Sequence, residues 1–415
     1  MLNSVRQALK LLDQYGSWGL LGPALLIGLG RGFIIPVLPV IARDEFNVGA
    51  AGATFIFAAI AIGSLIFTMP TGYLVDRIGR RKVLISAPLL IMISSILVFF
   101  AQFYWQIVLL LVLNGCAQQM WMLGRLATIS DQEEATNKGR MITGISGMQR
   151  IGFLIGPLIG GFAGALLGLR FPFLLFALTG FIAAVVMFCL IKETAPQWQP
   201  RSAAEAKPKL LGVWRELMTR DALILFGAQF FSNIARSGMA GQTGPALIFA
   251  AYVFGVGAAE LGTISFMIGL ITVPVAFLTG QIIDRFGRKT AFLPASKVLS
   301  LALMLFAGIA LFDWPLWVFI AAFATGNIAL AFMAGTLQTI TADMAPPLQR
   351  GQFIALSRMM VSGGTLATPL LFAAAVALFV PPIGYVVGFG SMGLAAAGAT
   401  WQVKRLKLKV PTVSS

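Results

Sequence analysis

Histidine is absent from the 415 residues, and the two cysteines, Cys116 and Cys189, each lie within an apolar run. Imidazole chemistry, a zinc cluster and a disulfide framework are thereby excluded. Of the 15 acidic residues, none falls deep within an apolar run: Asp44 and Glu45 follow the first run, Glu260 opens the eighth, and Asp313 lies between the ninth and tenth. Acid and base catalysis inside the apolar regions therefore has no reagents. No Gly-x-x-x-x-Gly-Lys-Ser/Thr loop is present, so direct use of ATP is not expected. No metal and no cofactor is expected either.

The basic residues behave differently. Arg31, Arg125, Arg150, Arg236, Lys297 and Arg358 all lie inside apolar runs. Each costs a few kcal/mol at depth unless it meets water, a partner or a ligand. Arg31 and Arg236 occupy matching depths in the first and seventh runs, and Arg125 and Arg150 the inner third of the fourth and fifth. A guanidinium offers a fixed fork to a carboxylate or phosphate, so an anionic ligand or head group would offset the desolvation. For Arg125, Lys297 and Arg358 the alternative is snorkelling of the charge to the nearer surface.

These side chains must be carried by membrane helices. Hydrophobic residues make up 58% of the chain and charged ones 11%, about half the ~25% of a soluble domain. The apolar stretches run 17–41, 51–74, 83–102, 106–130, 141–167, 172–192, 221–252, 259–282, 291–311, 315–341, 352–379 and 384–402. Each is long enough for a ~30 Å hydrocarbon core, which takes about 20 residues. The first is too long for a signal-peptide core and is read as a retained helix. An all-α integral membrane protein of twelve helices follows.

The net charge of +15 would suggest nucleic acid in a soluble protein, but its placement removes that reading. Outside the apolar stretches or at their ends, Arg43 and Arg170 are alone on one side, and the other 22 basic residues share the opposite side. By the positive-inside rule both termini are cytoplasmic. The longest polar segment, 193–220, divides the chain into six-helix halves at 1–192 and 221–415. Within it Leu210, Leu211, Val213, Trp214, Leu217 and Met218 fall at helical spacing among charges, predicting a short helix lying on the inner surface. Leu2, Val5, Leu9 and Leu12 predict the same at the start of the chain.

The halves repeat. Gly72-x-x-x-Asp76-Arg77-x-Gly79-Arg80-Arg81 recurs as Gly280-x-x-x-Asp284-Arg285-x-Gly287-Arg288-Lys289 at an offset of 208. Asp131 pairs with Asp343 and Pro157 with Pro369 at 212, and Arg31 with Arg236 at 205. Repeated halves are common in transporter folds.

The loop motif, found after the second and eighth stretches, resembles the G-x-x-x-D-x-x-G-R-R/K signature of the major facilitator superfamily, and the resemblance covers essentially the whole chain. Gly152-x-x-x-Gly156-Pro157-x-x-Gly160-Gly161 is similar to that family's antiporter signature, and Ile34-Ile35-Pro36-Val37-Leu38-Pro39 resembles its drug-exporter branch. The resemblance implies two pseudo-symmetric six-helix bundles and a secondary transporter working by alternating access, exporting rather than importing a small organic solute. A facilitated transporter or exchanger of an organic anion or lipid-like substrate without proton coupling is the alternative, because the expected Arg-x-x-Gln-Gly of the fourth helix is replaced around Asn114-Gly115-Cys116-Ala117-Gln118 and few proton carriers remain. Asp44 and Glu45 are candidates at the outer mouth.

In the family, helices 1, 4, 7 and 10 line the cavity and 2, 5, 8 and 11 flank it. That implies Arg31, Arg236, Arg125, Arg150, Asn233 and Gln118 as substrate-binding residues, with Asn114, Gln119, Gln229, Gln242, Asn327, Gln338 and Trp121 nearby. Helix–helix hydrogen bonding is the alternative for the amides. For gating, Asp76, Arg80 and Asp131, mirrored by Asp284, Arg288 and Asp343, are expected to hold the cytoplasmic side closed, with Asp76 facing the first amides of helix 11. Gly156 and Pro157 supply close packing and a bend. The expected partners are a small-molecule substrate and membrane lipids, with no nucleic acid, and the protein is expected to work as a monomer.

Overall fold

The apolar stretches fold into sixteen α-helices in this computed structural model, which describes residues 18–131, 135–194, 218–240, 244–346 and 350–406. The first stretch is α1 (Trp18–Ile34) and α2 (Val37–Asp44), and the second is α3 (Ala50–Ile66) and α4 (Thr68–Ile78). Then come α5 (Arg80–Phe100), α6 (Tyr104–Asp131), α7 (Ala135–Leu167) and α8 (Phe171–Leu190). The second half holds α9 (Arg220–Met239), α10 (Pro245–Val253), α11 (Ala258–Phe286), α12 (Arg288–Phe312), α13 (Leu316–Met333), α14 (Thr336–Met344), α15 (Arg350–Leu378) and α16 (Ile383–Arg405). Among the described residues, ten helical spans are long and apolar enough to cross a membrane, or eleven when the bent pair α3 and α4 counts as one.

Four stretches expected as single helices are interrupted. Pro36 caps α2 and Pro39 lies in its first turn, so two amides that would carry the helix through Ile35 are missing. Between α3 and α4 the axis bends by 44°. Pro70, in the first turn of α4, cannot donate to the Ile66 carbonyl, and the Thr68 and Thr71 hydroxyls bond back to Ser64 and Phe67 instead. The seventh stretch stops at Met239 and resumes at Pro245, with 241–243, and so Gln242, outside the described residues. The tenth breaks at Ala334 and Gly335. The segments 1–17, 195–217 and 407–415 also lie outside the described residues, and with them both expected surface helices.

The chain forms two compact units, residues 1–199 with 247–269, and residues 200–246 with 270–415. In the first, α1 packs on α7 and α8, and α5 packs between α6 and α8. In the second, α9 packs on α15 and α16, and α12 between α13 and α16. The sequence repeat is thus also a repeat of neighbours.

The α1–α7 seam is built from small residues. Gly28 and Gly32 face Gln149 and Gly156, while Gly152 and Gly160 meet the backbone at Leu25 and Phe33. A methyl group on Gly32 would lie 2.7 Å from the Gly156 Cα. Such contact matters because membrane helices associate through close packing more than through water exclusion. The second unit is filled by rings instead: Phe306 stacks on Phe319 at 5.0 Å and meets Phe389 edge-on at 5.0 Å.

Candidate functional site

Arg31 lies close to the midpoint of the 26-residue span Gly19–Asp44, in the last turn of α1. Leu20, Ala24 and Ile27 precede it by eleven, seven and four residues, on the same helical face, and all are buried. The guanidinium therefore points inward from a buried stripe and cannot snorkel. Arg31 is half-buried and has no hydrogen-bond or ion-pair partner among the described residues. Arg236 takes the corresponding position along the helix in its own unit. It occupies the last turn of α9 and follows Leu225, Gln229 and Ser232 on one buried face. In both cases the helix break leaves carbonyl groups beside the cation, and the negative end of a helix dipole stabilises it by about 0.3–1 kcal/mol. The breaks thus supply part of the compensation.

Arg125 is held differently. Its Nη1 donates to Gln149 Oε1 at 2.6 Å, its Cζ stands 5.5 Å from the Trp121 ring centroid, and the residue is 8% exposed. It is tied to α7 rather than snorkelled. Arg150, one residue after Gln149, is exposed on another face of α7, and Lys297 and Arg358 are also exposed. The amides mostly bond locally: Gln118 Nε2 donates to Asn114 Oδ1 at 2.7 Å, Asn114 to Ser94 at 3.3 Å, and Asn233 to the Gln229 carbonyl at 2.8 Å. Gln229 also donates to Thr341 and accepts from Ser357 at 2.6 Å, joining α9, α14 and α15.

At the basic end of the first unit, α4 and α5 are separated by Gly79 alone, at φ 95° and ψ 159°, a conformation open essentially to glycine. The turn brings Arg80 Nε to Asp131 Oδ2 at 2.8 Å, with both side chains largely buried. Arg80 Nη1 is also 3.7 Å from Asp76, whose side chain is 71% exposed. Asp131 ends α6, where the dipole disfavours an anion, so Arg80 is the group that stabilises it there.

Glu193 completes the cluster. Its carboxylate accepts from the backbone N–H groups of Arg80 at 2.9 Å and Arg81 at 3.2 Å, capping α5, while the Thr194 hydroxyl reaches Asp131 at 3.4 Å. Arg81 Nη2 donates to the Phe188 carbonyl at the end of α8, at 2.9 Å. In the second unit Gly287 repeats the turn at φ 87°, and Lys289, the counterpart of Arg81, donates to the Leu406 carbonyl just after α16. The side chains of Asp284 and Arg288 lie outside the described residues, and Asp343 is exposed.

The other end of the first unit holds the two isolated basic residues. Arg170 pairs with Glu45 at 2.7 Å and donates to the Ala101 carbonyl at 2.6 Å. Arg43 pairs with Asp44 at 2.6 Å and donates to the Ala251 carbonyl. Both acids considered as proton carriers are thus engaged by arginines. Sequence reasoning singled out Arg31, Arg236 and the signature, but it did not find Gln149, Glu193 or the Arg170–Glu45 pair. Glu193 carried a signal in the first acid after the sixth span; Gln149 carried none, because its partner is 24 residues away on another helix.

Repeated membrane-spanning helices, broken beside inward-pointing cations, describe a multi-pass membrane transporter. The Major Facilitator Superfamily profile matches residues 21–369 and 225–412, and the chain belongs to that family of transporters, which are not enzymes. It is 26% identical over 359 residues to the class B tetracycline resistance protein of Escherichia coli, covering 84% of this chain and 85% of that one. It is 28% identical over 274 residues to the multi-drug resistance efflux pump PmrA of Streptococcus pneumoniae, covering 64% of this chain and 65% of that one. Among solved structures, the fold is similar to a D-xylose-proton symporter, with a TM-score of 0.76 at 17% identity over 94% of this chain and 97% of that one.

Proposed function

We propose that this secondary transporter exports a small organic anion, or an amphipathic molecule with an anionic group, by alternating access, with both termini in the cytoplasm. The observation that carries the reading is Arg31: an inward-pointing guanidinium near the middle of its span, with no partner among the described residues. An isolated charge at that depth costs about 3 kcal/mol on insertion scales, and a ligand carboxylate or phosphate is the group that offsets it. Arg236 supplies the corresponding charge in the second unit. The efflux proteins among the relatives support the outward direction. In this reading Arg80, Asp131 and Asp76, with Asp284, Arg288 and Asp343 as counterparts, act as gating residues, and Gly156 and Pro157 let the fifth stretch tilt.

A second reading, exchange or facilitated transport without proton coupling, is favoured by the acids: Glu45 and Asp44 are both engaged by arginines. Transport into inside-out proteoliposomes tests both readings. Arg31→Ala is expected to lower uptake of anionic compounds at least tenfold while the protein still inserts. Normal anion transport by that variant would remove the anion site. Stimulation by an imposed pH gradient would restore proton coupling.

A further inference from the structure

Trp121 is 2% exposed, and its indole N–H has no hydrogen-bond partner among the described residues. A buried donor left unmade is costly, and tryptophan N–H groups in interiors usually find an acceptor. Its place in the first unit says what that acceptor could be. Gln149 of α7 packs its backbone against Gly28 of α1 and accepts from Arg125 of α6, so the three helices meet there. Arg31 lies three residues beyond Gly28, about 4.5 Å along α1, and Trp121 four residues before Arg125, about 6 Å along α6. Since α1 runs parallel to α7 and α6 runs against it, both residues lie on the same side of the junction, at nearly the same level.

The faces agree as well. Arg31 continues the buried stripe of Ala24 and Ile27, and Trp121 belongs to the buried stripe of Asn114, Ala117, Arg125 and Thr128. Arg125 donates to Gln149 and to the Met122 sulfur, and Gln118 donates to Asn114.

We propose that the guanidinium of Arg31 and the indole N–H of Trp121 form a two-donor subsite for a carboxylate or sulfonate group in the first unit. The proposal rests on the anionic-substrate reading and adds Trp121 as the residue that selects the acid. Charge-assisted hydrogen bonds from both donors favour an acid over its neutral amide.

The test uses the purified full-length protein, with salicylate and 2-naphthalenesulfonate as probes and salicylamide and 2-naphthalenesulfonamide as neutral counterparts. Thermal-shift titration of the wild type is expected to favour the acids. Trp121→Phe keeps an aromatic ring beneath Arg125 and removes the N–H together with part of the indole's volume, for which the neutral amides are the control; the apparent Kd for both acids should rise about five- to tenfold, with the amides unchanged. Acid affinity unaltered in Trp121→Phe, but lost in Arg31→Ala, overturns the role of Trp121 and leaves the anionic reading standing. No preference for acids in the wild type overturns both. Should Trp121→Phe not fold, wild-type protein labelled with 15N at its eight indoles gives the answer directly. One indole resonance moving downfield with salicylate and not with salicylamide supports the subsite, and no responding resonance overturns it.

Discussion

At the scale of single residues, six basic side chains with the same sequence signature, a charge inside an apolar run, have three different surroundings. Arg150, Lys297 and Arg358 are exposed, Arg125 is locked to Gln149, and Arg31 and Arg236 point inward at the ends of broken helices. Depth along each helix was legible from residue number. The face was not, because one residue of rotation separates the exposed Arg150 from the engaged Gln149. The buried Arg125 pair carries a prediction. Gln149→Leu leaves a buried guanidinium short of an acceptor and should cost about 1.5–3 kcal/mol. Replacing both partners, Arg125→Met with Gln149→Leu, should recover most of that loss. Thermal unfolding in detergent reads it, and a neutral Gln149→Leu would show that the bond does not support the fold.

At the scale of elements, the signature loop is a device for joining helix ends. Gly79 and Gly287 make one-residue turns, and the basic residues Arg81 and Lys289, 208 positions apart, each reach the carbonyl end of the last helix in their half. Glu193 caps α5 from the segment that follows α8, so Glu193→Ala is expected to cost about 1 kcal/mol through the lost cap. Gly79→Ala should cost more, about 1–3 kcal/mol from backbone strain, and its methyl would also fall 2.8 Å from the Glu193 carboxyl carbon. Differential scanning fluorimetry of the two variants ranks them. If Gly79→Ala proved the milder change, the turn would not depend on glycine as described.

At the scale of the whole molecule, charge asymmetry predicts orientation. In a background with Cys116→Ala and Cys189→Ala, single cysteines go at Phe103, exposed beside the Arg170–Glu45 end, and at Lys192, exposed beside Glu193. A membrane-impermeant maleimide added to intact cells should label Phe103→Cys at once and Lys192→Cys only after permeabilisation. The reverse pattern would place the basic loops outside and overturn the cytoplasmic assignment of the termini.

Periodicity-free apolar runs, the placement of Lys and Arg and a duplicated signature are local or additive properties, so the sequence by itself determined an all-helical membrane protein of repeated halves and the depth of its charges. Proline positions 36, 39 and 70 were visible too, yet whether a proline bends a helix or ends it depends on which neighbours satisfy the freed carbonyls. Only the tertiary structure decided that four stretches break, that Arg125 is paired while Arg31 has no partner among the described residues, and that Glu193 rather than a residue of the signature caps α5. Each of those outcomes turns on a few ångströms between helices far apart in sequence, a distance that no spacing along the chain encodes.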